Sequence, residues 1–154
     1  GESLVRGLEN LVRDVERNGG DFVVSLADRE AFSVGENIGT SEGVVVDRTP
    51  LYELIQYKPA TDKVFETPLL IFPPWINKFY ILDLKPKNSF IKYAVDQGQT
   101  VFVISWVNPD KELGKKTWAD YMTEGPLTAM DVIEKVTGDS GRNACSAGMV
   151  AISL

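Results

Sequence analysis

The sequence predicts an α/β protein built on a mixed sheet, with an antiparallel hairpin leading into parallel strands. Three observations carry that prediction. The runs Leu69-Leu70-Ile71-Phe72 and Thr100–Val107 are continuously apolar, as in strands covered on both faces. Segments at 88–97 and 126–137 carry apolar residues at helical spacing, giving an order of strand, helix, strand, helix. Upstream, Val44-Val45-Val46 and Leu51–Tyr57 flank Asp47-Arg48-Thr49-Pro50, whose turn chemistry joins them as a hairpin.

The elements follow in order. Residues 3–17 place Leu4, Leu8, Leu11, Val12 and Val15 on one face, predicting an amphipathic packing helix capped by Ser3 and stopped by Gly19-Gly20. Residues 21–43 carry glycines at 35, 39 and 43 and read as irregular, so 1–43 is expected as an N-terminal helical and irregular segment before a domain starting at 44. Lys58–Thr67 is a polar connection. In 88–97, Phe90, Ile91, Ala94 and Val95 are expected inward, with Gly98 closing the helix. Trp118 and Met122 open another helical segment. Pro126 is placed in the first turn of the next helix, with Leu127, Met130, Ile133 and Val136 inward and Gly138-Asp139 as its stop.

The bulk composition narrows the function classes. With 154 residues, 44% hydrophobic and 25% charged, the chain has a globular composition. Its 22 acidic and 16 basic residues give a net charge of −6, which argues against a nucleic-acid surface. A single cysteine makes no internal disulfide. The first residues lack the layout of a signal peptide, and no apolar run approaches the ~20 residues of a membrane span. A cytoplasmic protein is expected.

In parallel sheets the chemistry gathers in loops beyond the carboxyl ends of the strands. Three stretches qualify: Pro73–Lys78, Trp106–Asp110 and the terminal turn Asn143-Ala144-Cys145-Ser146-Ala147-Gly148. A nucleophile elbow needs small residues two before and two after the reactive side chain. Counted from Ser146, these are Ala144 and Gly148, an A-x-S-x-G pattern. Counted from Cys145, they are Asn143 and Ala147, a poorer steric fit around the stronger nucleophile. The chain contains no histidine, so it cannot complete a histidine triad by itself. Cys145 as a buried small apolar residue is the non-catalytic alternative. The polar 140–143 is short for the strand an elbow should follow.

Several stretches resemble one family: LVRGLENL at 4–11, LIQYKP at 54–59, PLLIFPPWINKFYILDL at 68–84, NSF at 88–90, GQTVFVISWVNPD at 98–110 and DYMTEGPLTAMDVI at 120–133. They are similar to the polyhydroxyalkanoate (poly-3-hydroxybutyrate) synthases, most like class I, over nearly the whole chain to Gly138. The resemblance implies an α/β-hydrolase fold, here the N-terminal half of the catalytic domain over 44–154, truncated after the elbow. It implies an acyltransferase that polymerises 3-hydroxyacyl-CoA, with a cysteine in a G-x-C-x-G-G box carrying the growing chain as a thioester. Aspartate and histidine further along would complete the triad. No cofactor is expected, CoA being part of substrate and product. A homodimer at cytoplasmic polyester granules is also implied.

Carried across, the box falls on 143–149, where either Cys145 or Ser146 takes the nucleophile position and Gly148 a following glycine. The loop at 73–78 matches far better. Its backbone near Trp75 and Ile76 is the expected oxyanion contributor, with Asn77 shaping the loop. Trp75 as an aromatic cover over the sheet end is the competing role. Trp106 and Asn108 are read as packing residues, and Asp83 and Asp110 as turn residues. Two other functions stay open. One is a non-catalytic relative that pairs with an intact synthase or attaches to granules. The other is a serine esterase or depolymerase using Ser146.

Overall fold

The computed structural model describes residues 1–138 apart from Ser25 and Arg29. The chain divides into two units, Gly1–Phe32 and a second beginning at Ser33.

The first unit is dominated by helix α1, Glu2–Arg17. Gly1, not Ser3, occupies the cap position, and no side chain caps the helix there. Its carbonyl instead accepts from the Leu4 amide at 3.0 Å, placing Ser3 inside the first turn. Gly19 and Gly20, at φ +65° and +102°, end the helix as expected. Leu4, Leu8 and Val12 form an exposed apolar stripe, and α1 buries none of its residues.

The second unit is mixed α/β around a four-stranded sheet, with strands β1 (Gly43–Arg48), β2 (Tyr52–Tyr57), β3 (Leu69–Ile71) and β4 (Val101–Trp106). Their order is β1-β2-β4-β3; the first three pair antiparallel, while β3 and β4 run parallel. A register shift between Val45 and Asp47 lets β1 continue through Asp47 and Arg48, so the turn shortens to Thr49–Leu51. Thr49 closes it, accepting from the Leu51 and Tyr52 amides on Oγ1.

The strand period of two sorts the core into two layers. On one face Leu54, Leu70, Phe102 and Ile104 pack with Ala129 and Ile133; on the other Tyr57, Ile71, Val101 and Val103 pack with Ile91, Ala94 and Val95. The second set of helical residues belongs to α2, Phe90–Asp96, capped by Ser89 and ended at Gly98 with φ +83°. Phe90 is exposed, not inward: it lies roughly a quarter turn from the centre of the Ile91/Ala94/Val95 face.

The last helical stretch combines α3 (Trp118–Met122), a π-turn (Thr123–Leu127) and α4 (Thr128–Thr137). Thr117 and Asp120 form a capping box at its start. Pro126 sits inside the π-turn and not at a helix start, because a ring without an N–H breaks the regular ladder and the wider turn absorbs it. The inward face of this stretch is Pro126, Ala129 and Ile133 with Met130 beside them, while Leu127 and Val136 are exposed. Nine residues span about 180° of helix, so Leu127 and Val136 cannot share a face. Gly138, left-handed at φ +73°, ends α4. No helix among the described residues is long and apolar enough to cross a membrane.

Candidate active site

Beyond the carboxyl ends of the parallel strands lie the loop after β3 and the loop after β4. The first begins with Pro73-Pro74, whose rings fix two successive φ angles. The Asn77 amide donates to the Pro74 carbonyl at 2.8 Å, closing a turn over Trp75 and Ile76. The backbone N–H groups of Trp75 and Ile76 donate to no acceptor among the described residues. Ile76 is 89% exposed and Trp75 45%. Trp75, Ile76 and Asn77 therefore lie on one tight turn.

Aromatic rings secure that turn. The Trp75 and Tyr121 ring centres lie 4.7 Å apart at a tilt of 45°, so Trp75 covers the junction with α3. Tyr121 meets Trp106 edge-on at 5.7 Å, and Trp106 meets Tyr52 in the same way at 6.5 Å. Trp106 does more than pack: its Nε1–H donates to the Pro73 carbonyl at 2.6 Å. Lys78 bonds the Asn108 side chain, tying the two loops together. Tyr52, fully buried, donates its hydroxyl to Asp47 at 2.9 Å. Burial, then that hydrogen bond, raise its phenol well above the ordinary range.

The two aspartates differ. Asp110 is the turn residue expected, accepting from the Glu112 and Leu113 amides at 2.9 Å each. Asp83 is more than a turn residue. It is 1% exposed, and its carboxylate accepts from the Ser41 amide at 2.9 Å, the Ser41 hydroxyl at 2.8 Å and the Ser89 hydroxyl at 2.5 Å. A buried carboxylate needs such donors, and here they join three chain segments.

Cys145, Ser146, Ala144, Ala147 and Gly148 lie outside the described residues. Among the described residues no group of histidine, cysteine, aspartate and glutamate side chains is placed to hold a metal. Among the described residues the loop after β3 leaves the Trp75 and Ile76 N–H groups without an acceptor, donors of the kind that can stabilise a developing oxyanion. Sequence reasoning missed Tyr121, which packs against Trp75 and Trp106, and Gly125, which faces the Trp106 indole with no room for a Cβ. A glycine followed by proline inside a helical pattern was the available signal.

A sheet with its candidate site at the carboxyl ends of parallel strands defines an α/β protein of the loop-site kind. Residues 1–94 match the family described as poly-beta-hydroxybutyrate polymerase (PhaC) N-terminus, and the chain belongs to that family. It is 47% identical over 144 residues to the poly(3-hydroxyalkanoate) polymerase subunit PhaC of Rhizobium meliloti (strain 1021), covering 94% of this chain and 24% of that protein. It is 50% identical over 140 residues to the poly(3-hydroxyalkanoate) polymerase of Methylorubrum extorquens, covering 91% and 23%. With poly(3-hydroxyalkanoate) polymerase 1 of Ectopseudomonas oleovorans the identity is 45% over 160 residues, covering 100% and 28%. The chain thus spans about a quarter of the length of the curated relatives it matches.

Proposed function

We propose that these residues form the N-terminal part of the catalytic domain of a polyester synthase, which joins 3-hydroxyacyl units from CoA thioesters. The observation that carries the reading is the pair of amides at Trp75 and Ile76, which meet no acceptor among the described residues and are braced at the carboxyl edge of parallel strands in a chain of this family. The strand order β1-β2-β4-β3, with β2 antiparallel, supports assigning the sheet to the α/β-hydrolase fold.

The chemistry is acyl transfer. A thiolate at Cys145 attacks the substrate thioester carbonyl, and the negative oxygen of the tetrahedral intermediate takes hydrogen bonds from the loop after β3. The carbon–sulfur bond to CoA then breaks, and the proton first taken from the cysteine is returned to the departing thiolate. A 3-hydroxyl group next attacks the acyl-enzyme, forming an ester and releasing the enzyme thiolate. The base for both steps is a histidine that must come from outside these 154 residues, which contain none. CoA enters only as part of the substrate. A homodimer at granule surfaces is the assembly proposed.

The test uses the complete gene product with radiolabelled 3-hydroxybutyryl-CoA, measuring CoA release and acid-stable acyl-enzyme. Loss of both in Cys145→Ala, with both retained in Ser146→Ala, supports the cysteine. The opposite pattern, with ester hydrolysis but no polymer, identifies the esterase chemistry suggested by Ala144-x-Ser146-x-Gly148. A second reading is a non-catalytic partner of a complete synthase. In that case the product releases no CoA on its own but co-purifies with an active synthase.

A further inference from the structure

We propose that Trp106 is a positioning residue whose indole N–H sets the direction of the Trp75 and Ile76 amides, and that Gly125 is a glycine to make room for that indole. The inference rests on the oxyanion reading of the loop after β3.

Three geometric facts combine. First, Trp106 ends the central strand β4, where it pairs with Tyr52, so its backbone is fixed by the ladder. From there its Nε1–H reaches the carbonyl of Pro73, a buried residue of the neighbouring loop, at 2.6 Å. Second, little rotational freedom remains between that carbonyl and the Trp75 amide, from which the turn closed by Asn77 carries the chain on to Ile76. The ring of Pro74 fixes its φ, so holding the peptide plane of Pro73 leaves only ψ of Pro74 before the Trp75 N–H. That last angle is fixed by the bond from Asn77 to the Pro74 carbonyl at 2.8 Å. Both carbonyls at the base of the turn are thus held, and the amides of Trp75 and Ile76 are left without an acceptor among the described residues.

Third, the indole is wedged from behind. A Cβ on Gly125 would stand 2.8 Å from Cη2 and 3.1 Å from Cζ3 of Trp106, closer than atoms pack. Gly125 is not among the glycines with positive φ, so its backbone does not call for glycine; the space does. It lies in the π-turn, one residue before Pro126, where the wider turn passes beside the ring. Tyr52 and Tyr121 close two more edges of the indole. The strand end, the π-turn and the loop therefore meet on one side chain.

The test compares wild type, Trp106→Phe, Gly125→Ala and the double variant of the complete gene product. Rates of CoA release from 3-hydroxybutyryl-CoA are normalised to the nucleophile titrated as acyl-enzyme. Trp106→Phe keeps an aromatic ring and removes the N–H. It is expected to lower kcat and kcat/KM together by about tenfold with KM changed less than twofold, the pattern of a lost transition-state interaction. Gly125→Ala displaces the indole and should give a loss of the same kind. The double variant should be no worse than the more affected single variant, since both act through one contact. A merely structural role would lower the titrated fraction and leave kcat per titrated site unchanged. Full kcat per site in Trp106→Phe overturns the inference. If that variant does not fold, full kcat per site in Gly125→Ala overturns it instead. A wild type that neither forms acyl-enzyme nor releases CoA refutes the functional reading itself, which separates the two failures.

Discussion

Replacing Asp83 by asparagine should loosen the junction between residues 39–41 and the start of α2 while leaving the rest of the sheet intact. The carboxylate takes three side-chain-directed bonds: two hydroxyls, from Ser41 and Ser89, on Oδ1 and the Ser41 amide on Oδ2. An amide side chain has one acceptor oxygen. If that oxygen keeps the two hydroxyls, its NH2 faces the Ser41 N–H, donor against donor. If it is flipped, the Ser41 N–H is satisfied and the hydroxyls lose their acceptor. Either way at least one bond to a charged acceptor is lost, about 1.5–3 kcal/mol. That corresponds to a local opening constant raised roughly ten- to a hundredfold. Hydrogen exchange with mass spectrometry on the complete gene product reads it directly. Ser41 reports through its amide, and Lys92 through the Ser89 cap at 2.8 Å. Asp83→Ala, which removes every acceptor, should exchange faster still. Unchanged exchange over 39–42 and 89–96 in both variants would refute the claim that this buried carboxylate holds the segments together.

Further outcomes are expected. Gly98→Ala places a side chain at φ +83° and should destabilise the fold by about 1–2 kcal/mol, seen as a lower denaturation midpoint; an unshifted midpoint would show that the backbone there adapts. Tyr52 and Tyr57 both have phenol pKa values raised, chiefly by burial, so their contribution to stability is fully present below the unfolded value of about 10 and falls as pH rises beyond it. After an alkaline jump their ionisation should appear only in the slow phase of phenolate absorbance, and Tyr52→Phe or Tyr57→Phe should shrink that phase alone; a smaller fast phase would contradict this. Expressed alone, residues 1–154 should associate, because β3 has β4 on one side and no strand on its other side among the described residues. Light scattering showing a monomer with a sharp, reversible melt would contradict that.

Much of the fold was legible because it depends on short-range chemistry. The hairpin, the two continuously apolar strands and the helix stops at Gly98 and Gly138 follow from periodicity and from residues able to adopt positive φ. The errors occur where local pattern is insufficient. Leu127 and Val136 matched a three-residue spacing that drifts round the helix, and the inward face was instead built on Pro126, Ala129 and Ile133. Asp83 looked like a turn residue because its partner Ser41 lies 42 positions upstream. Sequence spacing carries no record of such a contact.

The loop at 73–78 shows the same division inside the candidate site. Its place could be read from a buried strand ending in two prolines. The contacts that brace it could not, because they come from a tryptophan 33 residues away and a glycine further along. Pro73-Pro74-Trp75-Ile76-Asn77 is therefore only part of a device. Grafted onto a strand whose neighbour ends in another residue, the same five residues would keep the turn closed by Asn77. They would lose the constraint on the Pro73 peptide plane, and with it the fixed direction of the amides. Trp106 was read as a packing residue, and it does pack against Tyr52 and Tyr121. Its one polar atom is what connects that packing to the backbone of the neighbouring loop.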